Sequence, residues 1–465
     1  MPRDHQDPSV RKRQERQVTR TTVAALWLAW CGVALAADAA APTNSAASSD
    51  LTLTQAIAIA LEQNPEIAAD RYDATAAQEQ YRQAAGAALP SLRAVGGYNR
   101  FLDSQRLIPA RQSNEPGVFT KDLFTGDLVL TQPLFTGGRI RSEIRAADLL
   151  RQTAGHQLAR SREELVFDVS SLYCSILASR HVVASLESSR QAMAEHLKQV
   201  EALIAAEKAG RVDQLRVEVR LADLRQKIVQ ARNTEAVQRR ALAALMGVMT
   251  QPDDLRVGGE LAAPPPKVSV SVEAALAKAM QQRPDYLAAR AALAAQDKAL
   301  AVARAAHWPT VALEGDYGGR WAADPSEHPP GTRYLEHAGW AGVVIDVPLF
   351  EGGRIDARVK EQRAKLAASQ ERLRKLELQV LLDVETAVLN LGSSQERVLA
   401  TQKAIEQAEE SLRIEQKKYE VGRGAIVDVL DAQAALLESQ TTYHRAMADY
   451  NTAGAQLRLA TGEEP

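Results

Sequence analysis

Asp428 and Asp431 stand three residues apart where a helical pattern begins, and a carboxylate in the first turn of a helix is favoured by the macrodipole. Other reactive types are scattered. His5, His156, His181, His196, His307, His328, His337 and His444 include no His-x-x-x-His pair with an acid between, the spacing that sets two imidazoles on one helical face for zinc. Gly137-Gly138-Arg139 and Gly352-Gly353-Arg354 lack the Gly-Lys-Ser/Thr of a phosphate-cradling loop and read as turns from strand into helix. Ser393-Ser394 has no nucleophile-elbow glycines around it. No reactive constellation emerges, so the sequence predicts no enzyme, no cofactor and no metal site.

The elements that must position these residues occur twice. A shift of 219 lays residues 53–98 on 272–317, placing Pro65 on Pro284, Pro90 on Pro309 and Tyr98 on Tyr317. A shift of 215 lays 133–247 on 348–462, so Pro133-Leu134-Phe135-Thr136-Gly137-Gly138-Arg139-Ile140 meets Pro348-Leu349-Phe350-Glu351-Gly352-Gly353-Arg354-Ile355. Self-similarity at this scale outranks length as a guide to domain count. The predicted repeats are 51–247 and 271–462, joined by a Pro-rich link over 248–270 that contains Pro264-Pro265-Pro266 and cannot continue a helix.

Lys plus Arg (56) nearly balances Asp plus Glu (58), which argues against a nucleic-acid partner. The N-terminus carries Arg11, Lys12, Arg13, Arg16 and Arg20, then the apolar stretch Val23 to Leu35, then Ala34-Leu35-Ala36, the pattern of an export signal over 1–36. A second reading places a lipid on Cys31 in Leu28-Ala29-Trp30-Cys31, where Trp30 occupies the position that wants a small residue. The apolar run is too short to span a bilayer of about 30 Å. After processing only Cys174 remains, so no internal disulfide can form.

Each repeat changes period in the same order. A helix is predicted over 54–89 and again over 271–308; two strand-like segments follow within 90–138 and 309–353, then helices over 139–247 and 354–462. The longer helical stretches, Ile140 to about Ala209 and Ile355 to about Val421, would each extend roughly 105 Å. Leu391, Val398, Ile405, Leu412 and Tyr419 recur every seven residues, as do Leu186, Met193 and Val200, which keeps one seam facing neighbouring helices. In the strand segments Phe124, Gly126, Leu128 and Leu130 alternate with Thr125, Asp127, Val129 and Thr131, and Ala341, Val343 and Ile345 with Gly342, Val344 and Asp346. These and their partners Leu92 to Phe101 and Val311 to Trp321 run for about ten residues, the length of a tilted membrane strand. Four strands cannot close a barrel and lipid does not tolerate an open edge, so chains would have to pool their strands.

Leu53-Thr54-Gln55-Ala56, Asn64-Pro65, Pro90 and Pro309, the two Pro-Leu-Phe-x-Gly-Gly-Arg-Ile segments and the turn from Tyr419 to Ala432, in this order over residues 51–462, resemble the TolC-type outer membrane efflux proteins. The resemblance implies a mainly α fold with a membrane β element: long antiparallel helical hairpins forming an α-barrel, plus four strands per chain in a twelve-stranded β-barrel shared by a homotrimer. It further implies a passive exit duct across the outer membrane and periplasm of a Gram-negative bacterium, served by a periplasmic adaptor and an inner-membrane transporter of RND or ABC type. A periplasmic coiled-coil scaffold or adaptor that conducts nothing is the alternative.

The family gate can be carried over residue by residue. Asp428 and Asp431 resemble the paired aspartates whose copies ring the periplasmic constriction, a ring that attracts cations and raises some carboxyl pKa values. Tyr419 stands where the family has a tyrosine bridging to a neighbouring hairpin, and Asp213 where its acidic partner lies; a heptad core position explains Tyr419 equally well. Gly424 occupies the place of a latching arginine, with Arg423 one position earlier. Gly210, Arg211 and Val212 with Gly422 and Gly424 are the expected adaptor-docking tips. Asp213 follows Gly210 by three residues whereas Asp428 follows Gly422 by six, so the two tips are expected to differ in shape.

Overall fold

The computed structural model describes residues 50–108, 117–207, 209–249, 255–264, 270–322 and 335–463. The export segment 1–36 with Cys31, the tips of both polar loops and residues 250–254 and 265–269 of the Pro-rich link lie outside the described residues. The elements are α1 (Leu53–Gln63), α2 (Pro65–Gly86), β1 (Ser91–Arg106), β2 (Phe119–Phe135), α3 (Arg139–Ala205), α4 (Arg211–Leu245), α5 (Val272–Gln282), α6 (Pro284–Ala305), β3 (Thr310–Ala322), β4 (Glu336–Asp346), α7 (Arg354–Glu420) and α8 (Ile426–Thr461).

The single helices expected over 54–89 and 271–308 are each two. Pro65 and Pro284 lack the N–H that would continue the helix and force the preceding residue into extended backbone, so Asn64 (ψ 126°) and Arg283 (ψ 118°) become caps. Asn64 Oδ1 accepts from the backbone N–H of Glu66 at 2.8 Å, while its Nδ2 donates to the Leu245 carbonyl at 2.8 Å. The first helix opens on a reciprocal capping box between Thr52 and Gln55, two residues before the expected start. The long helices end at Ala205 and Glu420, the first of them four residues short of the expected Ala209.

The four strands form one antiparallel sheet in the order β1-β2-β3-β4, so the second repeat pairs with the first through β2 and β3. Register puts Ala94, Leu128, Tyr317 and Gly339 side by side across all four strands, and Tyr98 beside Phe124 beside Trp321. One face therefore carries Leu92, Leu128, Leu130, Leu313, Val343 and Ile345, all exposed in the single chain. The opposite face carries Thr125, Thr131, Glu314 and Asp316, and there Arg320 pairs with Asp127 across β2 and β3. The strands exceed the expected ten residues: β1 has 16 and β2 has 17. Their surplus lies beyond the row of Tyr98, Phe124 and Trp321, with ring centroids 4.9 and 5.5 Å apart, where β1 turns polar through Asn99, Arg100 and Asp103.

The helices make a single layer. α3 and α7 run its whole length; α2 and α4 both pack along α3, while α6 and α8 both pack between α3 and α7. Shorter helices thus stack end to end beside the long ones, which demands close backbone approach at the junctions. Gly247 (φ 71°) ends α4 against Gln63, and Gly462 (φ 70°) ends α8 against Arg283; a Cβ would lie 2.3 Å from the Gln63 carbonyl oxygen or 2.7 Å from the Arg283 backbone nitrogen. Only glycine fits both the left-handed backbone and the space.

Residues 255–264 cross this layer at the junction level. Leu51 bridges Val257, the Tyr173 hydroxyl sits 3.0 Å from the Leu51 carbonyl and 2.5 Å from that of Gly258, and Arg180 donates to Val257 at 2.7 Å and Gly259 at 3.0 Å. Leu261 packs against Cys174 and Ala178 of α3 and against Ala446, Met447 and Ala448 of α8, while Asn451 donates to the Ala262 carbonyl at 3.0 Å. The segment thereby holds α3 and α8 together.

Candidate gate at the helix tips

At the end of the layer away from the sheet, residues 206–210 turn α3 into α4 and residues 421–425 turn α7 into α8. The two turns have the same length and the same kink. Glu207 (φ 59°) occupies the left-handed position that Gly422 (φ 73°) occupies in the second turn, exactly one shift of 215 away. The expected difference between tips came from matching Gly210 to Gly422; the structure matches Gly210 to Ala425 and Asp213 to Asp428, each acid being the third residue of its helix. The backbone N–H groups of Asp213 and Asp428 reach the carbonyls of Gly210 at 3.0 Å and Ala425 at 3.2 Å.

Gly424 lies in the crook of the second turn. A Cβ there would stand 3.0 Å from Lys418 Cβ and 3.1 Å from the Tyr419 backbone nitrogen, so a side chain at 424 requires the end of α7 to give way. Arg423 is exposed, its backbone N–H donating to the Lys418 carbonyl at 2.8 Å. Gly210, Arg211, Val212 and Gly422 are exposed at the extremity.

Of the two aspartates, Asp428 is exposed and turns back on its own helix, where Oδ2 accepts from the Ala425 N–H at 3.3 Å. Asp431 reaches across to the first hairpin, its Oδ1 3.6 Å from Nη2 of Arg220 on α4. Asp213 in turn lies 3.8 Å from Arg216. Tyr419 is brought to Asp213 without bonding to it: its buried hydroxyl has no hydrogen-bond partner among the described residues, and burial, with the Asp213 charge second, holds its pKa above the usual tyrosine value. Its ring lies 5.6 Å from that of His196, which burial pushes below the ordinary imidazole range.

Beneath these polar groups Leu186, Met193 and Val200 of α3 pack with Val217, Leu221, Leu224 and Ile228 of α4, and Ile426 and Leu430 of α8 insert into the same cluster beside Tyr419. Tyr419 is thus a ring packed against this core with its polar end at the tip. Arg220, His196, Ile426 and Leu430 were not foreseen. The spacing of Val217, Leu221, Leu224 and Ile228 by four, three and four carried the signal for this core; nothing in the sequence singled out Arg220. Among the described residues no three His, Cys, Asp or Glu side chains gather as metal ligands would.

The model of the outer membrane efflux proteins matches residues 56–248 and again 275–463. This chain belongs to that family. Outer membrane protein TolC of Vibrio cholerae is 25% identical over 404 residues, covering 87% of this chain and 89% of the relative. Outer membrane efflux protein BepC of Brucella suis is 24% identical over 427 residues, covering 90% and 87%. Among solved structures, the outer membrane protein VceC of Vibrio cholerae superposes with a TM-score of 0.74 at 21% identity, covering 89% of this chain and 97% of that one. The outer-membrane channel OprN gives 0.75 at 22%, covering 89% and 90%. The family consists of channel proteins and not enzymes, and its members work at the outer membrane of Gram-negative bacteria.

Proposed function

We propose that this chain is one third of a passive export duct: a homotrimer, delivered through its N-terminal signal, that spans outer membrane and periplasm and is gated at its helix tips. The observation that carries the reading is that sheet and helix layer both end in open edges. Among the described residues β1 and β4 each pair on one side only. α4 and α7 bound the helix layer in its tip half, and their outer faces include exposed apolar residues, Val212, Leu215, Val219, Val229 and Val237 on α4 and Leu389, Leu399 and Ile414 on α7. A face on one edge and a different face on the other make a head-to-tail contact, which closes into a ring when the rotation allows it. Three copies pool twelve strands and twelve helix tracks, satisfying the backbone edges that lipid would leave bare.

In that ring the tips, Gly210, Arg211, Val212, Gly422 and Gly424, meet a periplasmic adaptor and through it an inner-membrane transporter of RND or ABC type, which supplies the work. Asp428 and Asp431 line the constriction, and Tyr419, Asp213 and Arg423 join neighbouring hairpins. With glycine at 424, in a crook where a Cβ would be tight against Lys418 and Tyr419, the tips are held by the core around Ile426 and Leu430. Replacing Asp428 and Asp431 together by Ala should weaken cation selectivity and block by trivalent cations in single-channel recordings. Unchanged selectivity and block would remove these aspartates from the gate.

A further inference from the structure

We propose that Arg220 sets the ion preference of the tip constriction by neutralising Asp431, leaving Asp428 as the one acid of the pair that acts on passing ions. This rests on the reading of Asp428 and Asp431 as the constriction. Within the chain, Asp431 is the aspartate that crosses from one hairpin to the other, its Oδ1 3.6 Å from Arg220 Nη2. Asp428 has no ion-pair partner among the described residues and bonds only to its own helix start.

The first repeat repeats the arrangement with the sign changed. The shift of 215 that lays Asp213 on Asp428 lays Arg216 on Asp431, so where the second helix start carries two acids the first carries an acid and a base 3.8 Å apart. Each chain thus brings Asp213, Asp428 and Asp431 to the tips together with Arg216 and Arg220. Two opposite charges within 4 Å act as a dipole on anything a Debye length away, about 8 Å at physiological salt, while a lone carboxylate keeps its full field. The constriction accordingly keeps one uncompensated acid per chain at this site, Asp428, and prefers cations less strongly than two free acids would make it.

The test is the potassium-to-chloride permeability ratio of the full-length protein in planar bilayers under a salt gradient. Arg220→Gln leaves Asp431 uncompensated and should raise the ratio by about twofold to fivefold, the order expected when one carboxylate per subunit is released into a pore. The double variant Arg220→Gln with Asp431→Asn removes the pair as a unit and should return the ratio to that of the native protein; it decides the matter alone if the single variant does not assemble. Arg220→Lys, which keeps the charge, should leave the ratio as it was. If Asp428→Asn lowers the ratio while Arg220→Gln leaves it unmoved, or if the double variant falls as far as Asp431→Asn alone, Arg220 is silent and the constriction reading survives without it. If none of these variants moves the ratio, the constriction reading fails with it.

Discussion

Glu163 on α3 makes stability fall as pH rises towards neutrality. Its side chain is 11% exposed, its Oε2 has no hydrogen-bond partner among the described residues, and Arg160 stands 3.7 Å away. Burial pushes its pKa up to about 7, against the pull of Arg160 and with a further push from Asp285. A carboxyl raised above its unfolded value favours the fold while protonated, and that contribution is lost as pH rises through 7. Glu163→Gln should therefore melt with the native protein near pH 5 but be more stable at pH 8.5, by roughly 2 kcal/mol. Equal melting temperatures at both pH values would show that water reaches the carboxylate. Nearby, Arg283 is buried between Asp285 at 2.8 Å and Asp383 at 2.7 Å, where the first repeat has Asn64 bonded to a carbonyl. The sequence shows the alignment of Asp168 with Asp383 and of Asn64 with Arg283, yet not which members are dry, because burial here depends on α3, α6 and α7 meeting over long sequence separations.

Among elements, the seam between α3 and α8 is where the two halves of the chain meet below the crossing segment 255–264. His181 and His444 stack across it with ring centroids 4.8 Å apart and planes 11° from parallel. Tyr443 lies edge-on at 5.6 Å, and the charges of Arg180 and Glu260 act on His181. Burial first, then Arg180 for His181 and His181 for His444, hold both imidazoles below the ordinary value of 6.5. A depressed histidine favours the folded seam when neutral, so stability falls as pH drops below about 6.5, where the unfolded chain binds the protons more readily. Hydrogen exchange along α8 near His444, corrected for intrinsic rate, should accelerate from pH 7 to pH 5 in the native protein and much less in His181→Phe with His444→Phe. The same acceleration in both would acquit the pair.

Element types were legible from period alone: alternation for the sheet, recurrence every seven for Leu186, Met193 and Val200, which are indeed buried. Helix breaks at Pro65 and Pro284 were visible as residues but outweighed by the helical pattern on either side. Matching tip glycine to tip glycine misled, because Glu207 takes the left-handed position without glycine's help. Nor could spacing reveal that Gly247 and Gly462 seal junctions between stacked helices.

At the largest scale, residues 50–463 form a plank with unfinished edges. Its sheet presents an apolar face bounded by Tyr98, Phe124 and Trp321, and its helix layer presents apolar stripes on α4 and α7 with no cover among the described residues. Exposed apolar area on this scale marks a surface built for other chains or for lipid. The measurement that tests this most directly is made on the purified native protein: its mass in detergent, alongside its conductance after reconstitution into a planar bilayer. The account predicts a three-chain particle that needs detergent to stay dissolved and inserts as discrete, ion-conducting steps. A monomer that remains soluble without amphiphile and leaves the bilayer current at baseline would contradict it.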